Sequence, residues 1–180
     1  MADTPRTNPP SDFVASWLTT LRASGLPPGR PVLDVAMGRG RHAMALARAG
    51  FRVFGVDIDP EAVADGVRAA RSEGRAIAGW CADLTRHPLP RARFDIVVVT
   101  RYLQRDLFPA IREAPSRGGF VIYETFTTAQ RLHGRGPTSA DHLLEPGELL
   151  ERFRGFDVEF YEEVRGPDAV ARIVAKRRLT

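Results

Sequence analysis

Cys81 is the chain's one cysteine, which excludes an internal disulfide framework and a cysteine-built zinc site. Lysine is as scarce. Of 26 basic residues, Lys176 alone is not an arginine. Such a skew follows coding composition more readily than selection for guanidinium at each site. It therefore argues little for nucleic acid, whose binding needs basic residues gathered on one face. The formal net charge is only +4, and the basic run that stands out, Lys176-Arg177-Arg178, reads as a solvated tail. No apolar run approaches the roughly eighteen residues of a membrane helix. The opening MADTPRTNPPSD lacks the basic and apolar regions of a secretory signal. A cytoplasmic protein with neither membrane nor nucleic-acid partner is expected, and no acidic or histidine grouping predicts a metal site. The oligomeric state is left open.

What remains is ordinary globular material: 180 residues, 43% hydrophobic and 27% charged, enough for one domain with a sizeable core. Its organising stretch is Pro31 to Ala43, PVLDVAMGRGRHA. An apolar strand meets a small-residue turn and then a helix-forming run, the grammar of a nucleotide-binding crossover. Glycines let backbone N–H groups approach a ligand that a Cβ would push away, and the helix adds the positive end of its dipole.

Two cofactors compete for this turn. Gly38-Arg39-Gly40-Arg41-His42-Ala43 satisfies the G-x-G-x-x-G/A dinucleotide fingerprint, with Asp57 nineteen residues beyond Gly38. Read from Asp34 instead, the row is acidic-x-small-x-Gly-x-Gly, the small residue being Ala36. A carboxylate there can hold the ammonium of a methionine moiety and would repel a pyrophosphate. S-adenosylmethionine (SAM) is therefore preferred to a nicotinamide or flavin dinucleotide. Further acids end the next strands. Asp57, in VDIDP, is placed for ribose hydroxyls, with Ile58 for the adenine face, and Asp83, in CADL, for the adenine amino group. Ligands of open α/β sheets sit outside the carboxyl ends of the strands, where all of these fall.

Residues 1–10 read as a flexible lead-in and 11–24 as an amphipathic helix capped at Ser11 or Asp12. Strands are expected at 31–35, 52–57, 75–81, 94–99 and 120–124, with helices at about 41–49, 60–73 and 103–114 between them. A short helix follows Pro146. Residues 125–145 form a long polar connection, of the kind that is functional or mobile. The closing strands, 156–164 and 169–176, are separated only by Gly166-Pro167-Asp168, too few residues for a crossover, and must form an antiparallel hairpin. One domain is expected over 1–180, with its cofactor-binding core at 31–176.

The stretches VLDVAMGRG, VFGVDID, WCADL, FDIVVVT and RGGFVIYETF resemble the motifs of the class I SAM-dependent methyltransferases. That resemblance implies an α/β Rossmann-like fold with a seven-stranded, mostly parallel sheet of order 3-2-1-4-5-7-6. It implies cofactor contacts from Asp34, Ala36, Gly38, Gly40, Asp57, Ile58, Asp83, Leu84 and Thr100. Ala36 stands where many members have glycine. TRYLQRDLFPAI, YETFTTAQ and HLLEPGELL look most like the small bacterial tellurite-resistance-type methyltransferases.

The acceptor pocket is expected beyond the fourth and fifth strands, under 125–145. Its candidates are Arg101, Tyr102, Arg105, Tyr123, Glu124, His133, Arg135 and His142, with Tyr102, His133 and Arg101 as the catalytic set. Arg101 and Glu124 end neighbouring strands and have a simpler reading as an ion pair. The expected activity is methyl transfer to a small-molecule acceptor: a thiol, chalcogen oxyanion, amine or carboxylate. The alternatives are an RNA or protein methyltransferase and a non-catalytic SAM-binding module.

Overall fold

The computed structural model describes residues 9–179. The first eight residues, most of the expected lead-in, lie outside the described residues. Five strands run parallel: β1 (Pro31–Val35), β2 (Arg52–Asp57), β3 (Ile77–Cys81), β4 (Phe94–Thr100) and β5 (Pro115–Phe126). The hairpin of β6 (Asp157–Arg165) and β7 (Ala169–Lys176) completes a seven-stranded sheet of order 3-2-1-4-5-7-6, with β7 antiparallel to β5. This is the expected α/β architecture.

Helices α1 (Asp12–Ala23), α2 (Arg41–Arg48) and α3 (Pro60–Ser72) cover one face of the sheet. Helices α4 (Phe108–Glu113) and α5 (Glu148–Arg152) cover the other. The starts of α1 and α3 are written locally. Ser11 Oγ accepts from the Val14 N–H at 3.2 Å, and Asp59 accepts from Glu61 and Ala62 ahead of Pro60 in the first turn. In β4 every residue is buried. Ile96 and Val98 point into the α1–α3 layer while Val97 and Val99 point into the other, the two-sided burial of a central strand.

Two segments differ from the sequence reading. The 103–114 segment, expected to be helical with a break near Pro109, is a 3₁₀ turn (Arg105–Leu107) followed by α4, with Pro109 in the first turn of α4. The 125–145 connection is anchored at its base. Gln130 is fully buried, accepting from Ala169 N–H at 2.6 Å and donating to the Arg135 carbonyl at 3.0 Å. Arg105 donates to the Ala140 and Leu143 carbonyls and holds Glu148 through two 2.8 Å contacts, while Leu143 and Leu144 are buried. Its polar composition hid these anchors, because most of its residues are exposed and the few inward ones have no period. Among the described residues no helix is long and apolar enough to cross a membrane.

Candidate functional site

The turn after β1 is held open by glycines elsewhere. Met37 is buried; its sulfur would lie 2.1 Å from a Cβ on Gly55 and its methyl 2.8 Å from a Cβ on Gly66 in α3. Glycine at 55 and 66 lets β2 and α3 close around this thioether and fixes the turn from below. Above it, Gly38 has φ of 52° and open space where a Cβ would stand, and Gly40 has φ of 77° at the N-cap of α2. Ala36 adopts φ of 54°, a left-handed conformation that an alanine enters only under strain.

Asp34 stands at the centre. Its Oδ2 accepts from the Ala43 N–H at 2.8 Å, while Oδ1 is buried without a partner. Burial pushes its pKa up to about 7, against the lowering effect of that hydrogen bond and of the Arg41 charge. At the end of β2, Asp57 accepts from Gly38 N–H at 2.7 Å through one oxygen and from Asp59 N–H at 3.0 Å through the other. A carboxylate offers about four acceptor positions, so Asp57 retains capacity for two further donors. Ile58 beside it is 66% exposed, an unusual state for an isoleucine. Asp83 accepts from both the Thr85 N–H and hydroxyl, which hold its pKa down, and faces Arg86; Leu84 packs at the edge of the core. These positions share one rim of the sheet.

The residues fit SAM. The orphaned, buried Oδ1 of Asp34 suits the ammonium, the uncovered Gly38 suits close approach of the methionine chain, and Asp57 with Ile58 suits ribose and adenine. The carboxylate acceptors around the turn match a cation and a diol better than a pyrophosphate.

Thr100, at the end of β4, is buried and occupied differently. His42 Nδ1 lies 3.0 Å from its hydroxyl, and His42 Nε2 accepts from Ser11 N–H at 3.2 Å. Since Nε2 accepts, the proton is on Nδ1 and the imidazole is neutral. Burial, with Arg41 and Arg101 nearby, pushes its pKa down to about 3. His42 thus ties the cap of α1, the first turn of α2 and the end of β4 together. Its partners lie 31 and 58 residues away in the chain, so no local signal marks it. His42→Phe strands both partner groups; we expect a loss of about 2–4 kcal/mol of stability, read from the urea midpoint. A neutral buried histidine also loses stability as pH falls from about 6.5 towards 3, and the variant should lack that acid-side slope.

The acceptor candidates divide. Arg101, Tyr102 and His142 line one cavity of about 300 Å³ with Leu103, Phe126 and Pro137. His133 is exposed and does not line it. Tyr123 is fully buried, donating to the Tyr102 carbonyl at 2.8 Å, and Arg105 braces the overlying segment. Glu124 does not pair with Arg101; Arg172 takes it at 2.6 Å, and Arg101 instead reaches Asp168 at 2.9 Å, with Arg135 on the same carboxylate. The Tyr102 hydroxyl donates to Gln104, and burial followed by the charges of Asp83 and Asp57 raises its pKa, so it stays a neutral phenol. Arg41, half-buried beside these groups, has no hydrogen bond or ion pair among the described residues.

Comparison with known proteins agrees with this geometry. Residues 32–116 match the family described as a methyltransferase domain. The chain is 38% identical to the demethylmenaquinone methyltransferase of Beutenbergia cavernae over 115 residues, 61% of this chain and 46% of that protein. It is 36% identical to the ribosomal protein L11 methyltransferase of Thermus thermophilus over 110 residues, 56% of this chain and 40% of that protein. Each alignment thus spans less than half of these curated relatives. In shape it is similar to TehB of Haemophilus influenzae, with a TM-score of 0.74 at 18% identity, over 91% of this chain and 62% of that one. Over residues 32–116 the chain is thus similar to a methyltransferase domain, and the rim described above fits S-adenosylmethionine.

Proposed function

We propose, from the premise of a SAM-dependent methyltransferase domain, that this protein transfers a methyl group to a small-molecule acceptor held in the cavity beside Thr100. The observation that carries the reading is the buried, unpartnered Asp34 Oδ1 beside the open glycine turn, one strand from a cavity at the end of β4. Asp34, Ala36, Gly38, Gly40, Asp57, Ile58, Asp83 and Leu84 hold the cofactor in this reading, and Thr100 shapes the passage between cofactor and cavity. When bound, SAM supplies an electrophilic methyl on a sulfonium whose leaving group is neutral.

The protein's share is alignment and exclusion of water. Phe126, Leu103 and Pro137 give the cavity apolar walls, and Arg101 with His142 gives it polar ones. Tyr102, neutral and committed to Gln104, orients rather than abstracts a proton. No step here requires a base if the acceptor atom is already unprotonated at working pH. A cytoplasmic location and a core at 31–176 belong to the same proposal. Given the finer likeness to the tellurite-resistance type, chalcogen oxyanions are among the acceptors to be screened.

The relation to a ribosomal-protein methyltransferase favours a macromolecular acceptor as the second reading. Calorimetric titration with SAM, S-adenosylhomocysteine (SAH) and NADH comes first: SAM and SAH should bind and NADH should not. Binding of NADH alone would install the dinucleotide reading. A methyl-release screen then takes thiols, selenite, tellurite and carboxylates against ribosomal protein. Turnover confined to ribosomal protein would reverse the acceptor class, and SAM binding without turnover on any of them would leave a binding module.

A further inference from the structure

We propose that the cavity takes a small amphiphilic carboxylate, its anion seated between Arg101 and Arg41 and its apolar body against Phe126 and Leu103. The inference rests on the methyl-transfer reading and names the acceptor class for that site.

The charges around the cavity do not balance. Asp168 is shared between Arg101 at 2.9 Å and Arg135 at 3.3 Å, one carboxylate for two guanidiniums. Glu124, buried and facing the same region, is taken by Arg172, which also holds Glu162 at 2.9 Å. Asp34 is occupied at one oxygen by Ala43 and at the other belongs to the cofactor reading. Arg41 is left with no hydrogen-bond or ion-pair partner among the described residues, although it is partly buried. Arg41 and Arg101 are the chain neighbours of His42 and Thr100, which meet at 3.0 Å, and burial followed by the Arg101 charge lowers the Arg41 pKa. Like charges held together in partial burial are unfavourable until an anion joins them. A planar guanidinium meets a carboxylate through paired hydrogen bonds, which suits this seat.

The backbone adds an independent sign. Arg101 has φ of 52°, left-handed for a long side chain, and its guanidinium lies over the Phe126 ring at 5.6 Å. A strained backbone at the rim of a cavity marks a position held for use rather than for packing. Here it turns the chain outward immediately after β4 and lays the charge along the aromatic wall.

The walls decide between anions. A phosphate or an inorganic oxyanion gains nothing from Phe126, Leu103, Tyr102 and Pro137, whereas an aliphatic or aromatic body does. A volume of about 300 Å³ is at the lower end for ligand pockets.

The anion could instead be the methionine carboxylate of the cofactor, and the test separates the two. Benzoate and its neutral isostere benzamide are titrated by ligand-observed NMR into the protein with and without saturating SAH. A nine-atom probe at about 0.3 kcal/mol per atom binds near ten millimolar. Benzoate should bind about tenfold more tightly than benzamide, which corresponds to the ordinary strength of one charged hydrogen bond. Arg101→Met and Arg41→Met should each reduce that preference to about twofold or less, Arg101→Lys should keep part of it, and SAH affinity, measured well above pH 7 where Asp34 is ionised, should move by less than about twofold in all three.

Equal binding of the two probes to the unaltered protein overturns the inference. So does a preference that survives both methionine variants, or one replaced by a tenfold loss of SAH affinity, which would give the seat to the cofactor. Failure of SAH to bind while benzoate keeps its preference would leave the anion seat standing and remove the methyl-transfer reading on which its role depends.

Discussion

Asp57→Ala should weaken SAH binding by about two to four orders of magnitude, taking two hydrogen bonds to a charged acceptor at about 1.5–3 kcal/mol each. The carboxylate already receives Gly38 N–H at 2.7 Å and Asp59 N–H at 3.0 Å, and its remaining acceptor positions are the ones open to a ribose. Alanine removes those and frees the Gly38 amide, loosening the turn as well. Asp57→Asn keeps an acceptor for Gly38 and should fall between the two. Calorimetry gives the affinity directly, and the thermal shift on adding SAH should vanish in the alanine variant. An unchanged affinity would take the cofactor assignment away from this rim.

Asp34 makes the second large expectation, with a sign that depends on pH. In the cofactor-free protein its pKa is pushed up to about 7 by burial, against about 4 in the unfolded chain. The folded state therefore binds the extra proton between these values, and stability falls as pH rises through that window. Above pH 7 the penalty is complete, about 4 kcal/mol for a shift of some three units. Asp34→Asn removes the charge but leaves an amide NH₂ where Oδ1 had no partner, at about 1–3 kcal/mol. The cofactor-free variant should thus be more stable than the parent at pH 8, by about 1–3 kcal/mol, and no more stable at pH 5. Denaturant midpoints at the two values test the crossover.

The same substitution should lower SAH affinity by about a hundredfold or more, since a buried charge loses its partner. In the parent protein, SAH binding below pH 7 must first remove the Asp34 proton. Affinity should fall by about tenfold per pH unit there, with proton release visible in buffers of different ionisation enthalpy. A flat pH profile would mean that Asp34 does not meet the ammonium.

The rim of acids was legible because each sits at a strand end, in a pattern the chain writes locally: Asp34 before the glycine turn, Asp57 before Ile58, Asp83 after Ala82. The hairpin was legible for a related reason, since three residues cannot carry a crossover. The acceptor end was not. With arginine supplying nearly every cation, sequence gives no way to choose partners. Arg101 finds Asp168 at a separation of 67 residues and Glu124 finds Arg172 at 48, rather than each other. His42 escaped notice because its environment is assembled from three distant elements. Gln130, an ordinary polar letter in a polar stretch, turned out to be fully buried, clamping the segment to β7.

The division of labour along the chain has one more consequence. Every residue of the proposed cofactor rim lies before Thr85, every residue lining the cavity falls within Arg101 to His142, and the two sets adjoin at β4. The family match, 32–116, covers the whole first set and only the start of the second. On the proposed assignment, cofactor use and most of acceptor choice should therefore be separately mutable, Arg41 being the exception. Exchanges around Pro137 and His142 should then alter the acceptor end while leaving Asp34, the glycine turn and Asp57 in place. Divergence within such a lineage should accumulate after β5, so that relatives sharing one methyl donor differ in what they methylate.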